Sequence, residues 1–149
     1  MPETSHILDD LDTMLALRRV PIFEGLDPED LQRIAATAEE HLYPPGEALV
    51  REGDVGHELV VIVEGSVRVV HHDPDGTEHL IRRYQPGDHI GELAVLREAP
   101  RAATVIAEGD DGVRGLVIGG DALKAILRER PDAAMAMLAT LAERLGTQA

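Results

Sequence analysis

Between Pro86 and Glu108 the chain reads P-G-D-H-I-G-E-L-A-V-L-R-E-A-P-R-A-A-T-V-I-A-E, and all 149 residues are best understood from this window outward. Gly91 to Leu96 lacks the alternation of a strand and predicts a short helix. A helix starting at Gly91 leaves its first amide groups without intrahelical partners, and those N–H groups favour an anion. Gly91 has no Cβ, so a ligand can approach the backbone closely. Arg101 stands after Pro100, where its planar guanidinium can clamp the same anion with two hydrogen bonds. Glu92 would repel a phosphate. It accepts a hydrogen bond from a hydroxyl, and it neutralises Arg101. A ligand carrying one phosphate beside one hydroxyl satisfies all three residues. An ordinary helix start with a structural Glu92–Arg101 ion pair uses the same residues. The gathering of Gly, Glu, Leu, Ala, Pro, Arg, Ala, Ala and Thr in one window favours the ligand.

On both sides of this window lie short β-rich runs separated by turn residues. These are Pro44-Pro45-Gly46, Gly53-Asp54-Val55-Gly56, Glu64-Gly65, Asp73-Pro74-Asp75-Gly76, Gln85-Pro86-Gly87 and Gly109-Asp110-Asp111-Gly112. Such regular punctuation predicts a sandwich or barrel. Asp75-Gly76 between Ser66–His72 and Glu78–Tyr84 is the strongest hairpin signal. Further out the period becomes helical. Ile7, Leu8, Leu11, Met14 and Leu15 form one predicted helix, which Pro21 ends. Asp27-Pro28-Glu29-Asp30 reads as an N-cap, a proline at the first helical position and acids in the first turn. Leu31, Ile34, Ala35 and Ala38 supply that helix's apolar face. After Gly119, Asp121 is expected to cap a helix bearing Leu123, Ile126 and Leu127. Pro131 starts another, in which Ala134, Leu138, Leu141 and Leu145 share one face and Gly146 caps the end.

Composition sets outer limits. Hydrophobic residues make up 44%, enough to bury a core, but aromatics are only 2%. A platform of stacked aromatics for single-stranded nucleic acid is excluded. The formal charge is −14, and residues 1–40 and 41–119 each carry −7 while 120–149 are neutral. No region is net basic, so direct contact with DNA or RNA is not expected. There is no cysteine and hence no disulfide framework or thiolate chemistry. Apolar runs such as Leu59 to Val63 are far too short for membrane insertion, where about 20 residues are needed. No signal peptide is visible after Met1-Pro2-Glu3, and a cytoplasmic location is expected.

Gly91-Glu92-Leu93-Ala94 followed by Pro100-Arg101-Ala102-Ala103-Thr104-Val105 resembles the phosphate-binding cassette of the cyclic nucleotide-binding domain family. In its cassette the chain is most similar to regulatory subunits of the cAMP-dependent kinase. Glu52-Gly53-Asp54 with Gly56, and Val63-Glu64-Gly65-Ser66-Val67, look like the family's glycine pattern in the first half of the barrel. The resemblance runs from about Leu15 to Leu145. It implies a mainly β fold, a jelly-roll β-barrel with N-terminal helices and C-terminal lid helices. A single domain over 1–149 is expected, with helices in 1–40, a barrel in 41–119 holding the cassette at 90–104, and helices in 120–149. The resemblance implies that Glu92 takes the ribose 2′-hydroxyl and Arg101 the cyclic phosphate. The backbone around Gly91, Leu93 and Ala94, with Ala102 and Ala103, completes the cradle. A threonine directly after the arginine favours cGMP in the family, and Ala102 here implies a preference for cAMP. Leu138, Leu141 and Leu145 are the expected lid over the base. Two residues depart from the family. Ile90 replaces a common aromatic, and Glu98 replaces a common glycine and is expected to point to solvent.

The expected function is therefore a regulatory cAMP sensor, not an enzyme, with no cofactor besides its ligand. Its output would pass through an effector domain, a partner protein or a homodimer. Two other readings remain. A cupin-like, metal-dependent jelly-roll enzyme would use histidines, but His71 and His72 are adjacent and point to opposite strand faces. His6, His41, His57, His71, His72, His79 and His89 are instead read as scattered surface residues, with no metal site. A cassette serving only protein association would have no need of both Glu92 and Arg101.

Overall fold

Local signals decide where the chain turns. The computed structural model describes residues 10–148, without the side chains of Asp10, Leu93, Ala94 and residues 144–148. His6, Ile7 and Leu8 lie outside the described residues. Helix α1 covers Asp10–Arg18, a 3-10 turn Pro21–Phe23 and α2 Pro28–Thr37. The strands are β1 (Glu39–Tyr43), β2 (Ala48–Val50), β3 (Glu58–Glu64), β4 (Ser66–His72), β5 (Glu78–Tyr84), β6 (His89–Ile90), β7 (Thr104–Glu108) and β8 (Val113–Gly119). Helix α3 (Glu92–Arg97) follows β6, and α4 (Gly120–Glu129) and α5 (Pro131–Gln148) close the chain. Asp27 caps α2 as expected, its carboxylate accepting the Asp30 N–H at 2.9 Å. The β4–β5 hairpin turns at Asp73–Thr77, where the Gly76 N–H donates to the Asp73 carbonyl at 2.8 Å.

Among the described residues all strand pairs are antiparallel. They form two four-stranded sheets, ordered β1-β8-β3-β6 and β2-β7-β4-β5. The sheets face each other as a β-roll and do not close into one hydrogen-bonded ring. Alternate residues of β3 and β8 serve two cores. Val60, Ile62, Val113 and Val117 meet Val67, Val69, Val105 and Ala107 between the sheets. Leu59, Val61, Leu116 and Ile118 face outward onto the helices, among Leu17, Phe23, Leu31, Ile34, Leu123 and Met137. Strand β3 is covered on both faces, which is why Leu59–Val63 shows no polar alternation.

The helical faces differ from expectation in detail. Leu11 and Leu15 are exposed, while α1 buries Thr13 and Leu17. In α5 the buried positions are Ala133, Met137 and Thr140, with Leu141 packed beside them. Leu138 is 55% exposed. The covered stripe of α5 is turned because the 3-10 turn and α4 pack against that side of it. Asp121 makes no cap. Gly119 occupies that position, and Asp121 sits in the first turn of α4. Helix α5 also runs past Gly146 to Gln148.

Candidate functional site

The loop before β3 holds the segment bearing Arg101. The Gly53 N–H donates to the Arg101 carbonyl at 2.9 Å, and the Arg101 N–H donates to the Asp54 carbonyl at 2.8 Å. The Glu52 N–H donates to Thr104 Oγ1 at 2.9 Å, and Val55 bridges Pro100. The Glu52-Gly53-Asp54 motif thus fixes the arginine's backbone from a distant part of the chain. Its side chain then enters a slot between two glycines. A Cβ on Gly56 would lie 2.2 Å from Arg101 Nε, and one on Gly91 would lie 2.2 Å from Nη1. Gly91 also has φ +100°, a backbone conformation that L residues rarely adopt.

Arg101 is only 7% exposed. Its Nη2 donates to the Glu58 carbonyl at 2.9 Å. Its Nη1 is buried without a hydrogen-bond acceptor among the described residues. Burial pulls the guanidinium pKa below its ordinary value, and the charge of Glu58 opposes this. An arginine stays protonated regardless. The result is a desolvated cation with a donor left over, an arrangement that favours an incoming anion.

Glu92 opens α3, and its carboxylate reaches His89, with Oε2 3.2 Å from Nε2. Both residues line a cavity of about 260 Å³ that Arg101 closes at its polar end. Val50, Val69, Val105 and Tyr84 supply an apolar wall. Gly91, Ala102 and Ala103 also border the cavity, with Ala102 exposed. Leu93 and Ala94 lie in α3, their side chains outside the described residues.

The expected lid is not over the cavity. Leu138 is exposed, Leu141 packs into the helical core, and no described residue of α5 lines the cavity. The side chain of Leu145 lies outside the described residues. Glu98 does face solvent, and it pairs with Lys124 of α4 at 3.5 Å. Ile90 is buried in the cavity wall, a packing role. Among the described residues no histidine–carboxylate group could hold a metal. His89 corrects the view of the histidines as surface residues, since it is 6% exposed and borders the cavity. Its place two residues before Gly91 was the available signal. Gly56 and Arg97 also border this site, yet neither stood out as a contact.

A family model described as cyclic nucleotide-binding domain matches residues 40–130, more than half of the chain. A CRP-like cAMP-activated global transcriptional regulator of Mycobacterium tuberculosis is 33% identical over 137 residues, 91% of this chain and 58% of the relative. A cAMP-dependent protein kinase regulatory subunit of Blastocladiella emersonii is 38% identical over 93 residues, 62% of this chain and 23% of the relative. The crystal structure of the N-terminal domain of a transcriptional regulator from Streptomyces coelicolor A3(2) superimposes with a TM-score of 0.77 at 35% identity. That match covers 89% of this chain and 92% of the other. The chain thus spans less than two thirds of the length of these curated relatives. No helix among the described residues is long and apolar enough to cross a membrane.

Proposed function

This chain belongs to the cyclic nucleotide-binding domain family, and on that premise we propose that it senses cAMP in preference to cGMP and passes the signal on through its C-terminal helices. The observation that carries this reading is the buried Arg101 guanidinium, with Nη1 unpartnered, at the polar end of an apolar cavity. Its Nη1–H and a neighbouring N–H donate to the cyclic phosphate. The ribose 2′-hydroxyl donates to the Glu92 carboxylate. Amides at the start of α3, with Ala102 and Ala103, complete the cradle, and the base lies against the aliphatic wall. Ala102 offers no hydroxyl to the guanine amino group, which leaves adenine preferred. No bond in the ligand is made or broken.

The net charge of −14 does not prevent binding of an anion. Exposed charges are screened over roughly 8–10 Å at physiological salt, while Arg101 acts at contact distance. Coupling runs from α3 to α4, which touch through Glu98 and Lys124. Helix α5 then moves from the helical core toward the base, bringing Leu138 over it. The effector is a partner protein, a second copy or a further domain, and any DNA contact belongs to such a domain.

Thermal unfolding with and without cAMP tests the reading. A ligand that binds only the folded chain at a hundred times its Kd stabilises it by about 2.7 kcal/mol. An unmoved melting temperature at millimolar cAMP rejects the proposal. A 2′-deoxy-cAMP affinity equal to that of cAMP rejects the role of Glu92.

A further inference from the structure

One polar side chain at the cavity is not used by the phosphate and sugar contacts. His89 lies on β6, which pairs with β3 through Val60↔Ile90 and Val61↔His89, so its backbone is fixed. Its side chain is 2% exposed. Neither Nδ1 nor Nε2 completes a hydrogen bond among the described residues, although Nε2 stands 3.2 Å from Glu92 Oε2. A buried polar group without satisfied partners is unfavourable, and an aliphatic residue like the neighbouring Ile90 would fill the same depth without it. The imidazole is aimed at one group, a carboxylate on the first residue of a six-residue helix. That carboxylate is 30% exposed and borders the cavity.

We infer that His89 is a positioning residue that turns the Glu92 carboxylate toward the sugar, and thereby sets the preference of the cavity for ribose over 2′-deoxyribose cyclic nucleotides. The inference rests on the reading of the cavity as a cyclic nucleotide site. When a ribose hydroxyl donates to one Glu92 oxygen, a small rotation brings Nε2–H into line with the other. The imidazole N–H then donates to the carboxylate, and the carboxylate accepts from both sides. A 2′-deoxy sugar gives Glu92 nothing to hold, so the aid of His89 has no effect on it.

The test is calorimetry of cAMP and 2′-deoxy-cAMP against the unmodified chain and the variants His89→Leu, His89→Met and His89→Gln, with melting temperatures of the free chains. In both apolar variants cAMP affinity should fall roughly ten- to a hundredfold, the share of one charge-assisted hydrogen bond. Binding of 2′-deoxy-cAMP should stay within about twofold, so the preference for the ribose collapses. Glutamine retains an N–H donor and should restore part of the preference. Melting temperatures of the free chains should not fall in step with affinity. If the unmodified chain prefers cAMP and either folded apolar variant keeps that preference, the role of His89 is overturned alone. Equal weakening toward both nucleotides with a lowered melting temperature shows a structural role and also overturns it. An unmodified chain that binds neither nucleotide removes the cavity reading, and this inference with it.

Discussion

Replacing Gly56 with alanine should disable the site without unfolding the chain. A Cβ there would stand 2.2 Å from Arg101 Nε, 2.3 Å from Nη2 and 2.4 Å from Cζ. Uncrowded contacts settle near 3.5–4.0 Å, so the guanidinium must shift by roughly 1 Å or more. The backbone at Gly56 is outside the left-handed region, so alanine adds no backbone strain. The displaced side chain loses its bond to the Glu58 carbonyl, about 1.5–3 kcal/mol, while alanine stiffens the unfolded chain and returns about 0.4–1 kcal/mol. The net loss of about 1–2 kcal/mol leaves a domain of ordinary stability folded. Binding suffers more. Two charge-assisted bonds to the phosphate are worth roughly 3–5 kcal/mol, on the order of a hundred- to a few-thousandfold in Kd. Calorimetric titration of cAMP into Gly56→Ala, Arg101→Ala and the double variant measures this. Because both substitutions remove the same cation, the double variant should bind no worse than the weaker single one. A Gly56→Ala chain that binds cAMP within about threefold of the unmodified chain would refute the reasoning, as would additive losses in the double variant.

Three other outcomes are expected. Ala102→Thr should raise cGMP affinity by roughly two- to tenfold, the yield of one neutral hydrogen bond, and leave cAMP affinity nearly unchanged; competition binding measures both. Met137→Ala should cost about 2–5 kcal/mol in denaturant unfolding because it opens a cavity among the helices. Leu138→Ala, on the exposed face of α5, should leave the free chain's stability unchanged yet weaken cAMP. Unchanged cAMP affinity in that variant would show that α5 does not close over the base. The carboxyl of Asp27 is held below its ordinary 3.8, first by the Asp30 backbone N–H, against the opposing effect of desolvation, and further by the Arg130 charge. Its stabilisation is therefore present above pH 3.8 and is lost as pH falls through the lower folded-state value. Asp27→Ala should lower the melting temperature at pH 7, and the difference from the unmodified chain should shrink below pH 3.8. An equal difference at both pH values would show that the cap does not titrate.

Much of this architecture was legible because its signals are local. Asp27-Pro28 caps α2 through a contact three residues away, and Gly76 turns the β4–β5 hairpin between its immediate neighbours. The cassette window was legible for a similar reason, since Gly91, Glu92 and Arg101 stand within eleven positions and border one cavity. Burial was harder to read. Leu11, Leu15 and Leu138 have the spacing of covered faces, yet they are exposed. Their helices are covered from one side only, and period alone does not say which side. His89 reads as a surface residue in the sequence because a two-residue strand has no pattern of its own. Its burial depends on β3 and α3, which meet there only after the roll has formed.

The order of residues by itself determined the turns, the caps, the strand-rich middle and the chemistry available to the cassette, because each depends on backbone preferences and side-chain types over a few positions. Tertiary structure alone decided that Gly56 and Gly91, 35 residues apart, form the two walls of one slot for Arg101. It also decided that His89 faces Glu92 and that α5 turns Met137 rather than Leu138 inward. Those outcomes depend on which surfaces meet when the sheets and helices pack, and close packing admits a side chain only where the opposing elements leave room for it.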